Sequence, residues 1–246
     1  MNKNLTTTVI ATLLITACNA SDDPADSSED VSTASMSAEF TALQTTKRLV
    51  MAAEFKQGDK ALTLANTDRV SASALGKDFT FKKLGSKSQP VYNAQEDTDD
   101  DTSSVTFTLT RSALSSEHIS AVNMPSGFDI SAPSGDSTIS PNDGKILLVW
   151  SNNGFLSNRL VINYAYRCSL GSTTIASTAR EVTADDGNHE VDLATIFQGQ
   201  NFNRCDDFDI AIQRERRGTL SSDFRSGSIT GVQLRTVTNI RLTNIR

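Results

Sequence analysis

Apolar side chains recur at every second residue in several segments of this 246-residue chain, and this alternation constrains the fold more than any other feature. Residues 105–110 alternate three apolar residues with three threonines, and residues 160–168 keep the same spacing. Phe208, Ile210 and Ile212 repeat the spacing further along the chain. Because successive side chains of a strand point to opposite faces of a sheet, the spacing predicts strands with one apolar face.

Turn signals separate these segments and define the fold class. They are Asn-Asp-Gly at residues 142–144, Asn-Asn-Gly at 152–154 and Asp-Asp-Gly at 185–187. Residues 146–150 are apolar throughout, which predicts a central strand covered on both faces. In residues 38–55 we expect a strand from residue 48 to 55 in preference to a short helix. The sequence therefore predicts an all-β protein, an antiparallel β-sandwich that forms one domain or two small lobes.

The first 45 residues differ from the rest in composition and charge. Residues 1–17 hold one basic residue, the apolar run 9–15 and then small residues, a plan typical of a signal peptide and too short to span a bilayer. Residues 18–45 are rich in Ser, Asp, Ala and Thr, which predicts a flexible acidic tether. We expect the sandwich to occupy residues 46–246, with a possible subdivision near the acidic segment 96–104.

Residues Ile15-Thr16-Ala17-Cys18 resemble the lipobox of bacterial lipoproteins, in which a small residue precedes the cysteine that accepts lipid. The resemblance covers only the signal region, and Ile15 occupies a position where Leu is more usual. It implies acylation of Cys18 with chains such as palmitate, and thus membrane attachment without a spanning helix. By the same resemblance Asn19 favours the outer membrane, with the protein facing the periplasm.

A second resemblance concerns the folded part. The run Gln57-Gly58-Asp59, followed by apolar and acidic positions, is similar to uncharacterised envelope lipoproteins of proteobacteria, and it implies no activity. The matching positions after the run are Leu62, Leu64, Asp68 and Val70.

The three cysteines divide into two classes. With Cys18 assigned to the export signal, Cys168 and Cys205 remain as an even pair in an oxidising compartment, which predicts one disulfide. No two of the cysteines and histidines have zinc-site spacing, so we expect neither a metal nor a cofactor. The acidic segment 96–101 lacks the glycine and glutamate of an EF-hand loop.

No catalytic pattern is present in the sequence. It lacks the Gly-x-Ser-x-Gly turn of serine hydrolases, and we expect His118 and His189 to be exposed loop residues. Many carboxylates occur without any pair being indicated for glycan hydrolysis. Residues 1–45 have a charge balance of −5, which leaves −1 of the total of −6 for residues 46–246. A nearly neutral domain does not favour nucleic acid as a partner.

The carboxyl-terminal region carries the remaining charge feature. Residues 199–246 contain eight arginines, no lysine and five acidic residues. Arginine suits bidentate contact with phosphate or carboxylate, so a shared surface could bind an acidic envelope component or protein. The residues expected to form this surface are Arg214, Arg216, Arg217 and Arg241. We therefore expect a lipid-anchored envelope binding or interaction module without catalytic activity, with a purely structural envelope protein as the alternative and a glycan hydrolase third.

Overall fold

The computed structural model describes residues 25–152 and 159–245, and these residues are almost entirely β-structure. This confirms the expected all-β class. The first ten strands in chain order are β1 (Asp26–Ser27), β2 (Ser37–Gln44), β3 (Arg48–Gln57), β4 (Lys60–Thr63), β5 (Asp68–Ala74), β6 (Lys77–Thr80), β7 (Lys82–Gly85), β8 (Pro90–Asp97), β9 (Ser104–Arg111) and β10 (Ser116–Asn123).

The remaining strands are β11 (Ile130–Ala132), β12 (Thr138–Ile139), β13 (Lys145–Trp150), β14 (Arg159–Leu170), β15 (Thr173–Thr183), β16 (Asn188–Asp192), β17 (Arg204–Arg217) and β18 (Ser226–Thr243). One short α-helix, α1 (Leu193–Ile196), and two 3-10 turns, Thr33–Ser35 and Ser112–Leu114, complete the secondary structure of the described residues. No helix in this part of the chain is long and apolar enough to cross a membrane.

The chain divides into two compact units. Within the described residues, the N-terminal unit comprises 25–126 and 215–233, and the C-terminal unit comprises 127–152, 159–214 and 234–245. Strands β17 and β18 each contribute residues to both units. The acidic segment 96–104, at which the sequence predicts a possible subdivision, lies within the N-terminal unit.

The N-terminal unit is a sandwich of two sheets. One contains β1, β4, β3, β2 and the start of β18, with β8 paired to β3 and β7 paired to β8. The other has the order β10-β9-β5-β6. Most pairings are antiparallel, but β2 runs parallel to β18, and β1 parallel to β4. Aromatic rings fill the core: Phe40 packs on Phe107 with 4.9 Å between ring centroids and on Phe55 at 5.8 Å.

The expected flexible tether through residue 45 is wrong for its described part. Residues 26–44 contain β1, a 3-10 turn and β2, and Ala38, Phe40 and Ala42 point into the core. The segment is rich in small and polar residues, so its composition resembles that of a tether. Its burial depends on pairing with β3 and with β18, which lies 189 residues further along the chain. Composition registers the low apolar content but not such distant pairing.

The C-terminal unit packs β14, β15 and parts of β17 and β18 with the three-stranded sheet β11-β13-β16. Cys168 and Cys205 are joined by a disulfide, as predicted, and both are completely buried in the core. The prediction that residues 146–150 are covered on both faces is wrong. Leu147 is 56% exposed, whereas Ile146, Leu148 and Trp150 are buried, so β13 has one open face.

Candidate functional site

The N-terminal unit contains an open cleft of about 300 Å³ between the β4–β5 connection and strands β5 to β8. It combines an apolar floor with polar and basic groups at its margin. The lining residues are Leu64, Ala65, Asn66, Asp68, Arg69, Val70, Thr80, Phe81, Lys83 and Tyr92.

Tyr92 fixes the floor of the cleft. Its phenol oxygen accepts a hydrogen bond from the Leu64 amide at 2.6 Å, and its ring packs edge-on against Phe55 at 6.0 Å. Burial raises the pKa of Tyr92 above its ordinary value, so the phenol stays neutral. The floor therefore offers an apolar surface and no negative charge.

Two cations lie at the margin of the cleft. Arg69 is an exposed residue of β5, and Lys83 is an exposed residue of β7 whose ammonium group donates to the Thr63 hydroxyl at 3.1 Å. The one acid that lines the cleft, Asp68, is buried and already accepts hydrogen bonds from Arg111 at 3.2 Å and from Ser28 at 2.7 Å. The cleft consequently presents positive charge above an apolar floor.

Arg111 holds the N-terminal segment beside the cleft. Besides its ion pair with Asp68, its guanidinium donates to the carbonyl oxygens of Ser28 at 2.6 Å and Val31 at 2.5 Å. A buried guanidinium is stable only when most of its donors are satisfied, and here backbone carbonyls satisfy them. This explains how a segment of mostly small and polar residues is fixed to the sandwich.

His118 is not an exposed loop residue, contrary to expectation. It lies buried on β10, and its Nδ1 hydrogen-bonds to Asp223 at 2.8 Å. Its Nε2 lies 3.0 Å from the Thr33 hydroxyl and 3.2 Å from the Ser116 hydroxyl. Asp223 and Thr33 are both distant from His118 in sequence, so no local pattern could have indicated the cluster.

A chain of hydrogen bonds from a carboxylate through an imidazole to a hydroxyl activates the nucleophile of many hydrolases. Here, however, the Thr33 hydroxyl is buried and also accepts a hydrogen bond from Arg111 at 3.3 Å. A nucleophile must be accessible to its substrate, so the arrangement favours a structural link between the N-terminal segment, β10 and the turn before β18. The hydrogen bond from His118, with a second from Ser221, holds the pKa of Asp223 below its ordinary value.

His189 also departs from the expected exposed loop. It lies half-buried on β16 and donates to Glu181 at 2.9 Å, and the same carboxylate oxygen accepts the Tyr164 hydroxyl at 2.8 Å. Burial and the hydrogen bond to Glu181 raise the pKa of Tyr164. Tyr164 and Glu181 lie on the paired strands β14 and β15, and His189 lies on β16 of the three-stranded sheet, so the hydrogen bonds link the two sheets of the C-terminal unit.

The expectation that Arg214 lies on an exposed arginine surface is wrong, because this residue is only 1% exposed. Its Nε and Nη2 donate to the two carboxylate oxygens of Asp185 at 2.7 and 2.9 Å, and the Trp150 indole donates to the same acid at 2.9 Å. The guanidinium also lies 4.6 Å from the centroid of the Phe128 ring. The residue therefore belongs to the core of the C-terminal unit.

The other three arginines belong to different units. Arg217 is exposed and Arg216 half-buried at the end of β17, in the N-terminal unit. Arg241 is exposed on β18 in the C-terminal unit, where its amide donates to the Ser137 carbonyl oxygen at 2.8 Å. An acid-binding role for Arg216, Arg217 and Arg241 stays a prediction.

The acidic segment 96–101 participates in ion pairs. Asp97 accepts from Arg48 at 2.6 Å, Asp99 from Lys47 at 2.7 Å, and Glu96 pairs with Lys77. Within residues 25–152 and 159–245, no three His, Cys, Asp or Glu side chains converge as a metal site would require. Cys18, the expected lipid acceptor, lies outside the described residues.

Comparison with known proteins does not assign this chain to a family. No protein-family model matches the chain, and no curated protein matches it. Solved structures with some likeness include a cytokine receptor complex, with 8% identity over 82% of this chain and 96% of that chain and a TM-score of 0.25. Titin Ig tandem domains have 9% identity over 85% of this chain and 98% of that chain, with a TM-score of 0.24. Native E. coli alpha-2-macroglobulin has 10% identity over 87% of this chain and 14% of that chain, with a TM-score of 0.25.

Proposed function

We propose that this chain is a lipid-anchored cell-envelope protein that acts as a binding module without catalytic activity, attached through Cys18 to the outer membrane and facing the periplasm. The observation that carries the proposal is the buried disulfide between Cys168 and Cys205. A structural disulfide of this kind is typical of proteins outside the cytosol. It uses two of the three cysteines and leaves Cys18, at the end of the apolar signal segment, for acylation.

The cleft is the proposed recognition site. Arg69 and Lys83 supply positive charge at its margin, while Val70, Phe81 and Tyr92 supply apolar surface. Such a combination fits a small amphipathic acid, whose carboxylate or phosphate meets the cations while its apolar part covers the floor. This partner is an acidic component of the envelope, as the sequence led us to expect, but its site is the cleft and not a surface that includes Arg214.

The anchor is tested by replacing Cys18 with Ser. Without the thiol no thioether to lipid can form, so labelling by an alkynyl palmitate probe should be lost. The protein should also be recovered in the soluble fraction after a wash in 0.5 M salt, which weakens contacts that depend only on charge. A Ser21→Ala variant, altered near the anchor but retaining the thiol, should label and sediment like the wild type. Membrane attachment of Cys18→Ser that persists after this wash would refute the proposal.

The recognition site is tested with decanoate as an acidic probe and decanol as its neutral counterpart. Calorimetry should detect saturable binding of decanoate, weakened about tenfold by Arg69→Gln, since a hydrogen bond to a charged group contributes about 1.5 kcal/mol. Arg225→Gln removes an exposed charge from the same unit and should leave binding unchanged. Equal binding of decanol, or no binding of either probe, would favour the purely structural alternative.

A further inference from the structure

The lysines of the described chain fall into two groups. Four of them pair with acids: Lys47, Lys60, Lys77 and Lys145. The other four have no acidic side chain within 4 Å among residues 25–152 and 159–245, and they lie on β3, on β7 and in the turn after β7. They are Lys56, Lys82, Lys83 and Lys87.

The segment 82–89 concentrates this charge. It contains three lysines and no acid, and all four residues of β7 are exposed. Leu84 is 53% exposed and lies on the same face of β7 as Lys82, because alternate residues of a strand share a face. We call Lys82, Leu84 and Lys87 the basic hairpin tip.

The tip lies where the chain enters the folded protein. The Ala25 amide donates to the Lys87 carbonyl oxygen at 2.9 Å, which ties the first described residue to the turn between β7 and β8. Only six residues separate Ala25 from Cys18 in the sequence. Even fully extended, the seven peptide units from Cys18 to Ala25 span at most about 25 Å. A lipid on Cys18 would therefore hold the tip close to the bilayer surface.

We propose that the basic hairpin tip rests on the membrane and binds the anionic headgroups of phospholipids, with Leu84 entering the interface. The inference rests on the proposed anchoring at Cys18 and adds a second contact to it. Lysines near an anionic surface are attracted within a Debye length of about 10 Å, and an exposed leucine among them adds apolar contact.

The test uses the mature chain from residue 18 with Cys18→Ser, which retains every residue of both units but lacks acyl chains. Its sedimentation is measured with vesicles of phosphatidylcholine alone and with 30% phosphatidylglycerol, in 0.1 M and 0.5 M salt. We expect binding only to the anionic vesicles, and weaker binding at high salt. The Lys82→Gln/Lys87→Gln variant should bind about 30-fold less tightly, at roughly fivefold per lysine.

Two further variants complete the test. Leu84→Ser should reduce binding severalfold without changing its salt dependence, because it removes only apolar contact. Lys47→Gln/Lys77→Gln removes the same charge from the same unit at residues paired with acids, and should bind like the parent. Absence of binding, equal binding to neutral vesicles, or an equal loss in this control would overturn the inference. Failure of the anchoring itself would appear separately, as absent palmitate labelling of the full-length protein.

Discussion

Asp185 accepts hydrogen bonds from two buried side chains of the C-terminal unit, Arg214 and Trp150. The ion pair is almost fully shielded from water, with side chains 1% and 2% exposed. Removing one member of such a pair leaves an uncompensated buried charge. We therefore place Arg214 among the residues that determine stability.

Arg214→Gln should lower the free energy of unfolding by about 3 to 5 kcal/mol, because it leaves the Asp185 carboxylate buried without its cation. Arg217→Gln, at an exposed position three residues further on, should change it by less than about 1 kcal/mol. Urea denaturation followed by circular dichroism measures both. Similar stabilities of the two variants would contradict the assignment of Arg214 to the core.

Replacement by Asn should change the melting temperature in opposite directions at Asp209 and at Asp223. Burial raises the pKa of Asp209 above the ordinary 3.8, so its contribution to stability is present below that pH and lost as the pH rises through the folded pKa. The pKa of Asp223 is lowered, mainly by the hydrogen bond from His118, so its contribution is present above pH 3.8 and lost as the pH falls through the folded pKa.

At pH 7, Asp209→Asn should therefore raise the melting temperature, since an amide oxygen can still accept the Asn239 amide hydrogen that Asp209 accepts at 2.8 Å. Asp223→Asn should lower it at the same pH. Near pH 3 the gain of Asp209→Asn should shrink, because the carboxyl is then protonated in both states. Thermal melts at the two pH values would contradict the assignment if both variants shifted in the same direction.

Sequence reasoning located the residues whose role depends on local pattern and missed those whose role depends on distant partners. The pairing of Cys168 with Cys205 followed from counting cysteines, and the burial of Leu160 to Cys168 on one face followed from their spacing. Arg214 has the same local context as its exposed neighbours, and only Asp185, on another part of the chain, distinguishes it. The cleft likewise joins residues from four strands, which no linear pattern reveals.

At the scale of elements, strands with strict alternation were predicted closely. Residues 105–110 lie within β9, residues 160–168 within β14, and the preference for a strand at 48–55 is confirmed by β3. Strand β2 was missed because its buried residues include two alanines, which composition counts as weakly apolar. Strand β13 was assigned two covered faces, because the apolar run gave no sign that Leu147 faces solvent.

The disulfide connects β14 to β17, two strands of the C-terminal unit. Closing a loop across 37 residues should stabilise the fold by about 4 kcal/mol in the chain-entropy treatment. The Cys168→Ala/Cys205→Ala variant should lose that amount in urea denaturation without reductant. Reductant should shift the wild type toward the variant and leave the variant unchanged. Wild type and variant with equal stability would show that the bond contributes nothing.

The segment from β1 to β2 depends on Arg111, which donates to two of its carbonyl oxygens. Arg111→Lys preserves the charge but not the fork of donors that reaches both carbonyls and Asp68. We expect amide hydrogen exchange over residues 26–36 to become at least tenfold faster, with little change in β14. Exchange that accelerates equally in both units would indicate global destabilisation and would count against a local role.

At the scale of the whole molecule, the N-terminal unit is built from both ends of the chain. Strand β2 pairs with β3 on one side and with the first eight residues of β18 on the other, from Ser37↔Ser226 to Gln44↔Gln233. Phe224 and Ile229 belong to the same core as Phe40. The unit is therefore incomplete until residues beyond 215 are present.

This pairing has a consequence for biogenesis. A ribosome or an export channel releases the amino end first, and β2 must wait for β18 to emerge before its second edge is covered. Pairing between such distant segments is slow, because the loop between them must close before any contact forms. Under the export proposed above, the polypeptide would cross the membrane unfolded, and the fold would be completed only in the compartment where the thiols of Cys168 and Cys205 can be oxidised.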